Sequence, residues 1–400
     1  MSRRTAPGRL LRFHRRRQGR WRAGTLHEGN QVRLLPAGAD FIRAVLDAVD
    51  GAHSTVHLEY YTLDDVRLDG RSLVDALERA AHRGVEVALI WDAIGSGGTP
   101  DALFRRLEQA GVRTMEYRSV NPLKRRFDIR MNDRDHRKIT VVDGQTAFLG
   151  GANLSRVYET PAAVGRGSDA DHSFWLDCAI RMQGPAVADA EALFLRTWGD
   201  GDGNGPLRIA AAASSPVRNG QAVRVVGSAP GERRPLFNRA IRRAIRDART
   251  SITLATGYFV PARREWRLLR RAARRGVWVR LLLPGYSDVP AAVHAARALY
   301  GHLLRAGVEI HEVRDAMLHA KIATVDGVLC AIGSSNFDWR SVHFNNEVDA
   351  FVLGNLAAEA DRMLDGWQRF ARPVSLAEWE GRSVREHLLE RVARLWKRLM

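Results

Sequence analysis

The sequence predicts an α/β protein of two tandem, pseudo-symmetric halves, each a mixed, largely parallel sheet between helices, the two sharing one site. Three observations carry this. Strand-like runs alternate with helix-patterned stretches, as in βαβ units. The same order of elements occurs twice. A short motif, H-x-K-x4-D, recurs in matched register.

The elements follow in order. Val32-Arg33-Leu34-Leu35 opens the first half and Val223-Arg224-Val225-Val226 the second. Helix-patterned FIRAVLDAVDGA and FNRAIRRAIRDA come next, then the β-branched runs STVHLEYYTL and TSITLATGYFV. A second helix and strand end in RGVEVALIWD and RGVWVRLLLP; a third helix leads to AGVRTMEY and AGVEIHEV. The motif strands are HRKITVVD, with His136, Lys138 and Asp143, and HAKIATVD, with His319, Lys321 and Asp326. Each leads into a small-residue turn ending in Asn: GGAN with Asn153, and GSSN with Ser334 and Asn336. The register holds from His to Asn, since 319 − 136 and 336 − 153 both equal 183. The AGV copies are 306 − 110 = 196 apart, so the first half carries 196 − 183 = 13 extra residues before its motif. These fall in RSVNPLKRRFDIRMNDRD, and a second first-half insertion, ETPAAVGRGSDADHS, follows Asn153. The expected division is a disordered basic segment at 1–30, halves at 31–198 and 221–371 around a Gly/Ala/Ser-rich linker at 199–220, and a tail at 372–400.

Charge narrows the partner class. The net charge of +17 points to an anionic partner such as phospholipid, nucleic acid or a phosphorylated substrate. Residues 1–23 contain arginines and no acid. Lys124, Arg125, Arg126, Arg130, Arg134 and Arg137 form a second cluster beside the first motif. The tail REHLLERVARLWKRLM sets Leu388, Val392, Leu395 and Leu399 on one helical face, a pattern suited to a membrane interface or to docking on the body. No apolar run is long enough to span a membrane, and Arg3-Arg4 lacks the apolar stretch of an export signal. Cys178 and Cys330 sit in apolar strand-like runs without metal-ligand spacing, as buried thiols do.

Lysine usage singles out the motif. Lys124, Lys138, Lys321 and Lys397 are the only lysines among 62 basic residues. A chain that otherwise writes positive charge as arginine keeps a compact ammonium at both motif positions, and the two cations are not interchangeable at a tight site. The chemistry matches. Cleaving a phosphodiester without a metal needs a nucleophile, a cation for the non-bridging oxygens and an acid for the leaving alkoxide. Two histidines in different protonation states supply the first and third. Lys138 and Lys321 would clamp the phosphoryl oxygens, with Asn153, Asn336 and Ser334 as further donors. In a strand, His and Lys at i and i+2 project together. Asp143 and Asp326 lie at an odd offset in Asp-Gly turns, which suits holding structure.

With its duplicated motif, the chain resembles the phospholipase D superfamily. WDAIGSGG (91–98), NDRDHRKITVVDGQTAFLGGANLS (132–155), TGYFVPARRE (256–265) and LHAKIATVDGVLCAIGSSNFDWRSVHFNNE (318–347) are similar to those of bacterial cardiolipin synthases, in particular the short subgroup without N-terminal membrane helices. The resemblance implies two phospholipase D-like halves meeting at one active site, no cofactor or metal, and a two-step transfer. It implies His136 as nucleophile through a phosphatidyl-histidine, His319 as acid and then base, and the motif aspartates Asp143 and Asp326 within the conserved set. It also implies that an acid from the opposite half orients each histidine: Glu347 for His136 and Asp177 for His319. The expected activity is cardiolipin synthesis from phosphatidylglycerol, with phosphatidylglycerol or phosphatidylethanolamine as second lipid, peripherally at the cytoplasmic face of the bacterial membrane. A lipid hydrolase with water as acceptor is the alternative. A nuclease is disfavoured because no aromatic-interleaved basic groove or helix-turn-helix pattern is evident. A non-catalytic membrane protein is disfavoured because both His-Lys-Asn sets are intact.

Overall fold

The computed structural model describes residues 7–19, 24–119, 132–159, 174–201, 203–209, 214–232 and 235–382. Lys124, Arg125, Arg126 and Arg130, most of the second insertion and the amphipathic stretch from Leu388 lie outside the described residues.

The duplication is legible in the strand order. From the centre of the sheet outward, the first half runs His27–Pro36, Cys178–Gln183, Thr146–Gly150, Lys138–Val142, Thr55–Tyr60, Glu86–Asp92 and Arg113–Tyr117. The second runs Gln221–Ser228, Asn345–Leu353, Leu329–Gly333, Lys321–Val325, Ser251–Thr256, Trp278–Pro284 and Val308–Val313. The first strands of the two halves pair antiparallel, Asn30 opposite Gln221, so one sheet runs through both. Helices cover it: Ala39–Asp50 and Leu73–His82 in the first half, Leu236–Asp247 and Arg263–Arg274 in the second. A central apolar layer draws on both halves, with Ile139, Ile180 and Leu193 packed with Val223, Ile322 and Leu364.

Three expectations need correction. The sheet is mixed, but along its main strand order only the outer strands of each half pair parallel, such as Thr55–Tyr60 with Glu86–Asp92; the short Arg134–Asp135 strand, off that order, also runs parallel to Asn345–Asn346. The motif strands sit in tight Asp-Gly hairpins, Lys138–Val142 with Thr146–Gly150 and Lys321–Val325 with Leu329–Gly333, and a hairpin can only pair antiparallel. Second, residues 7–19 are not disordered. They form a helix, Pro7–Gly19, that buries Leu10, His14 and Gln18. His14 Nε2 lies 2.7 Å from Asp326 Oδ2, and Arg17 pairs with Asp247 at 2.7 Å. Third, the second half extends past residue 371. Ala371–Pro373 adds a strand beside Val308–Val313, and the short helix Leu376–Glu380 buries Trp379 against Tyr300.

Candidate active site

The two motif histidines lie where the halves clasp each other. Each motif strand begins at its lysine, so the histidine precedes the strand instead of lying within it. The lead-in peels away to pair with the other half. Arg134–Asp135 runs parallel to Asn345–Asn346, and the His136 amide donates to the Asn346 carbonyl at 3.0 Å. Trp175–Leu176 runs parallel to Met317–Leu318, and the His319 amide donates to the Leu176 carbonyl at 2.9 Å. Each histidine is thus bonded to the residue just before the opposite half's acid.

This crossing sets the side-chain pairs. His136 Nδ1 lies 3.0 and 3.2 Å from the Glu347 carboxylate oxygens. His319 Nδ1 lies 2.7 Å from Asp177 Oδ2. Both acids are fully buried. An ionised carboxylate only accepts, so Nδ1 carries a hydrogen, and Nε2 is the atom that bears a lone pair in the neutral ring and a proton in the imidazolium. Lys138 Nζ donates to the His136 carbonyl at 2.6 Å. Lys321 Nζ donates to the His319 carbonyl and approaches His319 Nδ1 at 2.8 Å.

Burial and mutual charge tune the set. Burial, then the Lys138 and Lys321 ammonium groups, pushes the His136 imidazolium well below its ordinary value, so the ring is neutral near pH 7. Burial and Lys321 lower His319, opposed by its bond to Asp177. Lys138 is brought down to about 7 by burial and then by Lys321. Burial brings Lys321 down to about 8, opposed by Asp177 and Glu347. The two acids differ. Burial raises Glu347 to about 7 despite Lys138 and hydrogen bonds from Ser334 and Asn345. For Asp177 burial acts in the same upward sense, but Lys321 and the His319 bond outweigh it and hold the acid below its ordinary range.

The small-residue turns make room for the acids. A Cβ at Gly151 would collide with the Asp177 carboxylate. The register-matched residue, 151 + 183 = 334, is Ser334, whose hydroxyl donates to Glu347 and accepts from the Val348 amide at 3.0 Å. Ser334 is fully buried, and its hydroxyl is engaged by Glu347 and Val348, so its place here is to position Glu347, where the sequence reading expected a phosphate donor. Asn153 Oδ1 accepts from the Thr62 amide at 3.2 Å, and the buried Asn336 Oδ1 has no partner among the described residues. Asp143 and Asp326 stand at the far ends of the motif strands from the lysines. Asp143 accepts from the amides of His53, Ser54 and Thr55, and Asp326 from those of Arg249, Thr250 and Ser251. Their part is architectural, which removes them from the catalytic set.

Sequence reasoning missed several neighbours. Tyr158 donates to Asp177 Oδ2 at 2.8 Å. Tyr61 meets the His136 ring edge-on at 5.2 Å between centroids, and Trp175 lies 5.1 Å from the His319 ring. Trp175 stands two residues before Asp177, the one sequence signal that could have flagged it. Among the described residues no three histidine, cysteine or carboxylate side chains group as metal ligands would. The free cysteines Cys178 and Cys330 are buried in strands.

The paired sets match a known architecture. Residues 45–159 and 241–366 match the family described as "Cardiolipin synthase, PLD-like domain". The chain belongs to this family. It is 32% identical over 378 residues to the cardiolipin synthase of Geobacillus thermodenitrificans, covering 93% of this chain and 72% of that one. It is 33% identical over 355 residues to cardiolipin synthase 2 of Bacillus anthracis, covering 86% and 66%. The chain therefore spans 66–72% of the length of these two PLD-like relatives. The solved phosphatidylserine synthase of Haemophilus influenzae shares the fold at 11% identity, with a TM-score of 0.71 over 98% of both chains.

Proposed function

We propose that the protein is a phosphatidyltransferase of the phospholipase D superfamily that forms cardiolipin from phosphatidylglycerol, working from the cytoplasmic face of the membrane as a peripheral protein. The observation that carries this is the crossed clasp, in which each half supplies the histidine and lysine of one set and the acid of the other. Its two imidazoles differ in their surroundings, as a nucleophile and an acid require. Among the described residues no helix is long and apolar enough to cross a membrane.

In the first step, Nε2 of neutral His136 attacks the donor phosphorus. The P–O bond to the glycerol headgroup breaks, and His319, as imidazolium, gives its Nε2 proton to the departing oxygen. Glu347 steadies the positive charge that grows on His136, as a buried acid does for a catalytic imidazole. Lys138 and Lys321 face the non-bridging oxygens. The incoming phosphate anion supplies the counter-charge that keeps both as ammonium. In the second step, a hydroxyl of another phosphatidylglycerol loses its proton to His319 and attacks phosphorus. Cardiolipin leaves and His136 is free again. The ionised Asp177 suits His319 to the role that alternates between imidazolium and imidazole, and the stronger depression of His136 suits it to attack. Phosphatidylethanolamine can take the donor's place in the same steps: its P–O bond to ethanolamine breaks, His319 protonates the departing ethanolamine oxygen, and a hydroxyl of phosphatidylglycerol then accepts the phosphatidyl group.

The test is a product assay with labelled phosphatidylglycerol vesicles, with and without phosphatidylethanolamine, beside His136→Ala. Labelled cardiolipin that requires His136 is the expected result. Phosphatidic acid as sole product would make the protein a hydrolase, and no lipid turnover would overturn the reading.

A further inference from the structure

The duplication allows one half to serve as a control for the other. Outside the active site the outer helices of the two halves differ in charge. Ala39–Asp50 and Leu236–Asp247 match with an offset of 237 − 41 = 196, and Leu73–His82 matches Arg263–Arg274 with an offset of 276 − 84 = 192. In these registers four acids of the first half face four arginines of the second: Asp47 and Arg243, Asp50 and Arg246, Asp75 and Arg267, Glu78 and Arg270. An arginine-rich composition alone would raise both halves together, so it does not account for a local inversion of sign.

The surroundings differ as well. In the first half the acids are neutralised in place. Arg71 pairs with Asp47 and Asp50 at 2.6 and 2.8 Å, and Arg106 with Asp75 and Glu78 at 2.7 and 2.6 Å. In the second half Arg246, Arg264, Arg267, Arg271 and Arg274 are exposed, and none is paired with an acid among the described residues. The N-terminal helix Pro7–Gly19 extends the same face. Arg17 latches it to Asp247 and Arg15 pairs with Glu28, while Arg9, Arg12 and Arg16 are exposed. Arg242 joins the two second-half helices through Glu265 at 3.3 Å. The three helices form one contiguous basic layer. Its last helix starts at Arg263, shortly after Thr256, which pairs with Lys321, so the layer begins at the catalytic end of the sheet.

We propose that this layer, helices Pro7–Gly19, Leu236–Asp247 and Arg263–Arg274, docks the protein on an anionic lipid bilayer, with the first half held away from it. Negative bilayer charge complements unpaired arginines, and each basic residue near such a surface adds attraction. The proposal rests on the lipid-substrate reading above and adds the surface and the orientation.

The experiment compares the intact protein with two triple variants that change net charge equally, three reversals of two charges each. The face variant is Arg264→Glu, Arg267→Glu, Arg271→Glu. The control is Arg33→Glu, Arg105→Glu, Arg196→Glu, exposed arginines of the first half. Vesicle sedimentation with mixed phosphatidylcholine and phosphatidylglycerol, at fixed ionic strength, reads the partition coefficient. The face variant is expected to lose on the order of 10²-fold in partition, the control far less. Equal losses in both variants would overturn the proposal, because bulk charge would then suffice. Duplex DNA binding that exceeds vesicle binding at the same salt, and that the face variant abolishes, would also overturn it. Short-chain phosphatidylglycerol below its micelle concentration separates the two readings. If the parent does not turn it over, the enzymatic reading falls while the partition data still decide the docking face. If all three proteins turn it over alike, a loss on vesicles belongs to docking alone.

Discussion

Glu347→Gln isolates the electrostatic part of the crossed clasp. The carboxylate is fully buried and lies 3.0 Å from His136 Nδ1, with Ser334 and Asn345 Nδ2 as its other donors, the latter at 3.1 Å. An amide of the same shape can still accept one hydrogen bond but carries no charge. When His136 becomes phosphorylated its ring gains positive charge about 4 Å from the carboxylate, worth about 4 kcal/mol at an effective dielectric of 20. A retained neutral hydrogen bond returns about 1 kcal/mol. The loss of about 3 kcal/mol corresponds to a fall on the order of 10²-fold in the rate of the first step. Single-turnover mixing of excess enzyme with labelled phosphatidylglycerol vesicles measures that step as phosphatidyl-enzyme plus product. Thermal melting of the variant checks the fold. A rate within threefold of the parent, from a folded variant, would refute the argument that Glu347 stabilises charge on His136.

Four further outcomes are expected. Lys321→Arg replaces a buried ammonium by a larger planar cation and should lower kcat on the order of 10²-fold in the vesicle assay, even though charge is kept. The kcat/KM profile should be a narrow bell: Glu347 must be ionised, so activity falls as pH drops below about 7, while His319, whose pKa lies below its ordinary value, and Lys138 and Lys321, at about 7 and about 8, must be protonated, so activity falls as pH rises; Glu347→Gln should remove the Glu347 titration near 7 from the profile. Asp326→Ala leaves three backbone amides, the Thr250 hydroxyl and His14 without their acceptor and should cost about 3 kcal/mol in denaturant melts, with kcat/KM of the folded fraction within threefold. Arg137→Ala strips a buried guanidinium from Glu59, Thr197 and the carbonyls of Glu347 and Ser228, and should destabilise by about 3–5 kcal/mol, a loss that added Glu59→Ala should largely relieve in a double-mutant cycle.

Much of the site could be read from residues because a duplication repeats its own signal. One His-x-Lys run is weak, but two in the same register, on the few lysines of an arginine-rich chain, carry information that composition would erase. Strand order was partly legible, since alternating helix and strand patterns imply outer parallel strands. The Asp-Gly turns at Asp143 and Asp326 announce hairpin pairing at the motif, which forces those strands antiparallel. What the sequence concealed was contact at long range. The Ser334 hydroxyl reads as a phosphate donor until Glu347 is placed beside it. His14 reads as part of a solvated basic run until Asp326 is found within 2.7 Å. Glycine and serine at one turn position differ only because the acids opposite them differ in length, Asp177 against Gly151 and Glu347 against Ser334.

The asymmetry between halves extends behind the catalytic histidines and bears on which of them attacks. Glu59, Asp135 and Arg137 form a buried polar layer beneath His136. The matched positions, by offsets of 196 for the first and 183 for the others, are Ala255, Leu318 and Ala320, also buried. Burial and then the charge of Glu59 push the Asp135 carboxyl well above its ordinary range. Arg137 reaches across to the backbone carbonyl of Glu347 at 3.2 Å. The first set is therefore fastened to its acid by a guanidinium beneath the site, whereas Asp177 is fastened by Tyr158 and the amide of Cys178. A covalent intermediate needs a ring that stays fixed while phosphorus is attached to it. An acid–base group needs a proton that can come and go, which the ionised Asp177 allows and a neutral partner would not. The polar layer under His136 and the ionised acid beside His319 thus both favour the division of roles proposed above, although the motifs themselves are alike.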